Sequence, residues 1–176
     1  NNNVSLTVPG NLSLSNLVNA GSGIVSVNLT GGASQAGGAD VIASGFLLTG
    51  GAGAVTLNGA GNNVTDIAYN RAGSLSFRDA DAVNVGTVAG VNGITSGNAN
   101  VVLQSGGNLT LAQPIQSGTG VVTLTSAAQL NPTGVGLGAI LARTVDLNAA
   151  GGIGNLNTIT LQSDIISADN SVIGGV

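Results

Sequence analysis

Read for alternation, the chain is built on a recurring triplet in which a polar residue stands between two apolar ones. Leu6-Thr7-Val8, Leu12-Ser13-Leu14, Val25-Ser26-Val27, Val55-Thr56-Leu57, Leu75-Ser76-Phe77 and Val83-Asn84-Val85 carry the pattern through the first half. Leu109-Thr110-Leu111, Val122-Thr123-Leu124, Val145-Asp146-Leu147 and Ile159-Thr160-Leu161 continue it, and Val101-Val102-Leu103 departs by its apolar centre. A period of two sends the outer side chains to one face and the middle one to the other, which predicts short, half-buried β-strands. Gly50-Gly51, Asn58-Gly59, Gly106-Gly107 and Gly151-Gly152 lie between them and supply the backbone angles of tight turns. No sizeable helix is expected, because Ala68 to Ala72 and Ser126-Ala127-Ala128 are too short or too close to glycine.

The triplets repeat at long range. Setting Leu75 against Val101 also aligns Phe77 with Leu103, Val83 with Leu109 and Val85 with Leu111, an offset of 26 residues. Elsewhere the step is shorter, so the pattern predicts an irregular repeat whose turns take roughly 20 to 26 residues and hold two or three strands each. Residues 1–176 would then form a single all-β solenoid segment of roughly seven or eight coils. A β-sandwich is the alternative, since it too is made of short strands and glycine turns. A sandwich usually fills its core with large rings, whereas the inward positions here are almost all Val, Leu and Ile, as stacked, similar layers require.

Composition narrows the chemistry. The 176 residues include 30 glycines, one Tyr and two Phe, and no His, Cys, Met or Trp. Lys and Glu are also absent, so the charge comes from three Arg and seven Asp. A histidine-based triad, a thiolate nucleophile, a Schiff-base or phosphate-cradling lysine and a Cys/His metal site are thereby excluded. A net charge of −4 with 6% charged residues provides no basic patch, so nucleic acid is not an expected partner. At 43% hydrophobic residues the chain is too apolar for disorder. The lack of cysteine fits a reducing compartment and an exported surface protein equally. A chain without any Met reads as an excerpt or processed product of something longer. Its longest weakly polar stretch, Gly134 to Ala142, falls far short of the roughly 18 apolar residues of a membrane span.

Ala82-Val83-Asn84-Val85-Gly86-Thr87-Val88, Gly93-Ile94-Thr95, Gly106-Gly107-Asn108-Leu109-Thr110-Leu111, Gly120-Val121-Val122-Thr123-Leu124-Thr125 and Ala149-Ala150-Gly151-Gly152-Ile153-Gly154 resemble the shaft repeats of filamentous-haemagglutinin-like bacterial surface exoproteins. The similarity is one of repeat style and covers about residues 50 to 165 best. It implies a right-handed parallel β-helix, exported by a two-partner or autotransporter route and displayed at the bacterial cell surface. Its partners would be neighbouring repeats of the same polypeptide or identical subunits end to end, and a host or neighbouring-cell surface. The family's secretion domain carries an Asn-Pro-Asn-Leu signature, from which Asn131-Pro132-Thr133-Gly134 departs, so the resemblance implies shaft without that domain.

Few residues invite a chemical role. Arg78-Asp79-Ala80-Asp81 is the one local cluster of charge, and Asp79 with Asp81 is the candidate pair for calcium or for acid–base work. The plainer expectation is a solvated turn between two strands, because Asp caps turns through its own backbone and a sugar-cleaving β-helix site would also want His and Lys. No catalytic residue, cofactor or enzyme activity is therefore expected. The glycines at 50, 51, 53, 59 and 61 resemble calcium-binding nonapeptide repeats, but Val55 stands where those need Asp, so they read as corners. Thr110, Thr123, Thr125, Thr158 and Thr160 suggest an outward hydroxyl ladder of the ice-binding kind, which the uneven spacing disfavours. Asn28, Asn58 and Asn148 suggest amide ladders between coils. Tyr69 and Arg71, beside Asn70, suggest a contact with a sugar, but the plainer expectation is an exposed loop with one aromatic, an everyday surface feature.

Overall fold

A computed structural model describes residues 2–170 of the chain. These form a right-handed parallel β-solenoid of about eight coils, with no helix among the described residues. One 12-stranded and one 8-stranded sheet run the length of the stack. Coil 1 spans residues 4–14, coil 2 residues 18–35, coil 3 residues 41–57 and coil 4 residues 63–79. Coils 5 to 8 take residues 83–105, 109–126, 130–149 and 153–170.

Parallel pairing sets aside the sandwich. Leu75 pairs with Val101 and Phe77 with Leu103 in parallel, and Val83 and Val85 pair with Leu109 and Leu111, which is the 26-residue offset of the sequence. The commoner step is shorter: Val101 sits on Val122, and Val4 on Val25, 21 residues apart. The inward residues form continuous columns. Val55, Leu75, Val101, Val122 and Val145 make one, and Leu57, Phe77, Leu103, Leu124 and Leu147 make another. All ten side chains are buried. Burying one aliphatic side chain of this size contributes roughly 1.5–3 kcal/mol, so like stacked on like at each level is the main source of stability. The Phe46 and Phe77 rings meet inside, with centroids 5.9 Å apart.

The stack is not uniform along its axis. In coil 2 the first side is Val18–Asn19 and Ile24–Leu29, both paired with Val41–Gly50, and in coils 3 and 4 it is a single long strand, Val41–Gly50 and Asn63–Asn70. On the last of these the sheet forks: Asp66 and Ile67 carry Asn84 and Val85, while Tyr69 and Asn70 carry Ile94 and Thr95. Coils 5 to 7 are therefore three-sided, as in Leu109–Leu111, Ile115–Gln116 and Val121–Ser126. Between the prongs of the fork the chain makes an antiparallel hairpin, Thr87–Val88 against Val91–Asn92. Ala89 at φ 50° and Gly90 at φ 83° make its turn, the two positive angles that suit a two-residue hairpin to twisted strands. Alternation alone reads residues 82 to 88 as one more rung, and the hairpin was not expected.

One expected strand is displaced. Ile159-Thr160-Leu161 is not a strand as a triplet, and pairing begins only at Leu161–Gln162. Thr160 instead offers its carbonyl to the Ile140 N–H at 2.9 Å. The apolar close of the sequence, Val172 and Ile173 included, lies outside the described residues.

Candidate functional site

Where one side of a coil turns into the next, the backbone cannot complete its ladder, and short polar side chains do so instead. Asn3, Asn11, Asn98, Asn100 and Asn108 each turn Oδ1 to the backbone N–H of the residue 21 positions later, at 2.8 to 3.1 Å. A carboxylate does the same at Asp40, which accepts from Gly61 N–H. Sequence reasoning missed these asparagines, and the recurrence of an N–H partner one coil on was the signal that could have found them.

Inside the corners of coils 5 to 7 the buried polar residues are mostly serines. Ser96 and Ser117 both donate to the Ala99 carbonyl at 2.6 Å, and Ser105 and Ser126 donate to the Gly107 carbonyl at 3.0 and 2.8 Å. Coil 4 is different. Its interior, together with the residue before it, holds Asn62, Tyr69, Arg71 and Asp79, all buried. Tyr69 occupies an inward column between Leu48 and Ile94, and its hydroxyl donates to the Gly73 carbonyl at 2.8 Å. Burial pushes that phenol up to about 12, against the opposing pull of Arg71. Arg71 lies beside the ring, 6.0 Å from its centroid, and donates from Nε to the Gly51 carbonyl at 3.1 Å and from Nη2 to that of Gly31. Its Nη1 is buried without a protein partner, and burial lowers its pKa. The expected exposed loop is thus corrected: Tyr69 is 0% and Arg71 3% exposed, so neither presents itself at the surface.

Asp79 corrects the solvated-turn reading as well. It is 1% exposed; Oδ2 accepts from Val64 N–H at 2.9 Å and Oδ1 from Asp81 N–H at 3.1 Å. Burial pushes its carboxyl up to about 7; the two backbone N–H groups oppose this and Asp81 adds to it. Asp81 is exposed and accepts from Asn63 Nδ2 at 2.9 Å, and Arg78 is an exposed neighbour on the strand Leu75–Asp79. Below them Asn62 joins the corner, taking Val41 N–H on Oδ1 and giving Nδ2 to the carbonyls of Leu57 and Arg78. Asp79 thus spends both oxygens on backbone, the role of an anchor. No group of three metal-ligating side chains occurs among the described residues.

The outward positions carry shorter hydrogen-bonded chains. Asn84 donates to Asp66 at 2.6 Å and accepts from Thr110 at 3.0 Å, a ladder three coils tall. Of the three asparagines expected in ladders, Asn58 bonds Ser76 one coil on, Asn148 bonds Asp146 on its own strand, and Asn28 lies in register between Thr7 and Thr49. The glycines read as corners behave so: Gly50 has φ 111°, and Val55 begins a buried strand. Depressions on the surface are shallow; the one over the acidic corner is lined by Arg78, Asp79, Gln104, Ser105, Gly106, Thr125 and Ala127.

These features define a parallel β-solenoid repeat protein. No family model matches the chain, and neither a curated protein nor a solved structure does.

Proposed function

We propose that the chain is a non-catalytic structural shaft of an extracellular bacterial adhesin or surface fibre, holding a binding tip away from the cell. The observation that carries this reading is the unbroken parallel register from Leu12 to Ile166 along the 8-stranded sheet, which gives each coil the same core and lets the object lengthen without a new design. About eight coils at about 4.8 Å each extend the axis by roughly 35–40 Å. The polar groups serve the fold: buried Asp79, and Asp81, Asn84 and the corner asparagines nearer the surface, are hydrogen-bonded to backbone or to other side chains. The style of the repeats, similar to haemagglutinin-type shafts, supports a bacterial cell-surface location.

The second reading is a self-assembling subunit of an extracellular filament or biofilm matrix, stacked head to tail. The parallel register that stacks coil on coil, as Val122 on Val145, supports it, because a second copy of the chain can offer the same pairing. Intact mass of the polypeptide recovered from the cell surface, with electron microscopy of its length, separates the two. A giant chain with many more such repeats supports the shaft. A chain near 16.8 kDa whose assemblies lengthen with concentration overturns it in favour of the filament.

A further inference from the structure

In a solenoid each coil ordinarily touches only its neighbours, and stability is then a sum over adjacent pairs. Two features here reach further. Inside, Arg71 of coil 4 donates to the Gly51 carbonyl of coil 3 and to the Gly31 carbonyl of coil 2, 20 and 40 residues back. Outside, the hairpin of coil 5 folds back over the wall. Val88 joins Leu47 of coil 3 and Ala68 of coil 4 in a buried apolar cluster flanked by Ile24 of coil 2 and Val91. Gly45 permits this contact, since a Cβ there would stand 2.9 Å from Val88 Cγ1 and 3.4 Å from Ile24 Cγ1. Every other side-chain hydrogen bond given above joins one coil to itself or to the next.

We infer that Arg71 and the Thr87–Asn92 hairpin form a two-sided clamp that makes coils 2 to 5 open as one cooperative block, while coils 6 to 8 open singly. The inner grip is polar and the outer one apolar, and the two enclose the same three walls, Ile24–Leu29, Val41–Gly50 and Asn63–Asn70. Under load or near a frayed end, the rod would come apart rung by rung until it met this block. The clamp is a property of the fold and stands whichever role the protein has.

Native-state hydrogen exchange of the whole chain across a denaturant series tests it. In the unaltered protein the amides of Val27, Leu48 and Tyr69 should converge on one opening, with equal protection and equal denaturant dependence. Amides of Leu124, Leu147 and Ala168, one in each of coils 6 to 8, should instead show graded protection that falls towards coil 8. Val88→Thr combined with Arg71→Met should split the block, so that Val27 exchanges at least tenfold faster than Tyr69. Val88→Thr alone should give a smaller split and keeps the test available should the double variant fail to fold. Graded protection across coils 2 to 4 in the unaltered protein, or an undivided block in the variants, overturns the clamp.

Discussion

Coils 2 to 4 and coils 5 to 7 share the same aliphatic columns but close their corners in different ways. In the three-sided coils, buried Ser96, Ser105, Ser117 and Ser126 donate to nearby carbonyls, neutral bonds that follow the chain round a bend. In the two-sided coils the sides are longer, and at the last of them, coil 4, the corners are braced by larger buried groups: Asn62, Arg71 and Asp79. A serine satisfies one or two carbonyls, whereas Arg71 bridges carbonyls on two other levels. The contrast teaches that the aliphatic columns specify stacking while the buried polar residues specify the shape of the cross-section. It also explains why the charged interior and the fork of the sheet coincide at one coil.

The sharpest way to break the comparison is in what the halves share. Phe77→Ala should cost about 3–5 kcal/mol, because the ring fills the column and meets Phe46, and chemical denaturation would measure it. Next comes the polar contrast. Arg71→Met leaves the part-buried carbonyls of Gly31 and Gly51 without their donor and should lower stability by roughly 2–3 kcal/mol. Ser117→Ala, which removes one neutral bond to Ala99, should cost about 1 kcal/mol by the same measurement. Equal losses at the two positions would erase the distinction between the halves.

A third expectation concerns pH. Asp79 carries a carboxyl raised in the folded state, from an ordinary 3.8 to about 7. The folded protein therefore holds that proton more tightly than the unfolded chain does, and the contribution is fully present below pH 4 and lost as pH rises through about 7. Denaturation midpoints should accordingly fall between about pH 4 and 7, and Asp79→Asn should flatten that slope. A midpoint that rises over the same interval would count against the burial of this acid as the dominant influence. Least affected of all should be the outward centre of a triplet: Thr123→Ser, on the solvent side of Val121–Ser126, should change stability by no more than about 0.5 kcal/mol.

The columns were legible because alternation reports directly on which side chains point inwards, and the offset of Leu75 from Val101 turned out to be a true pairing. The hairpin was not, because Thr87-Val88 alternates like any rung and only the positive φ angles of Ala89 and Gly90 distinguish a reversal from a continuation. Charge misled at Arg71 and Asp79. Both residue types are ordinarily solvated, and their burial depends on carbonyls at Gly31 and Gly51 and on free N–H groups at Val64 and Asp81, which are tertiary facts. At Ile159-Thr160-Leu161 the triplet was present but the backbone paired through a carbonyl of Thr160 and entered the ladder later. The corner asparagines were visible as composition, and their meaning lay in the partner 21 residues on.

The way the corners occupy backbone N–H groups also bears on chemical ageing. An Asn followed by Gly is prone to cyclise when the glycine nitrogen attacks the side-chain amide, and the chain has two such pairs, Asn58-Gly59 and Asn92-Gly93. In both, the attacking nitrogen is already committed: Gly59 N–H to Gln35 Oε1 at 2.8 Å, and Gly93 N–H to the Gly86 carbonyl at 2.8 Å. The amides are held too, Asn58 by Ser76 and Asn92 by the Thr87 hydroxyl. A molecule without cysteine or methionine to oxidise, whose two most fragile peptide junctions are restrained, is suited to long service without turnover.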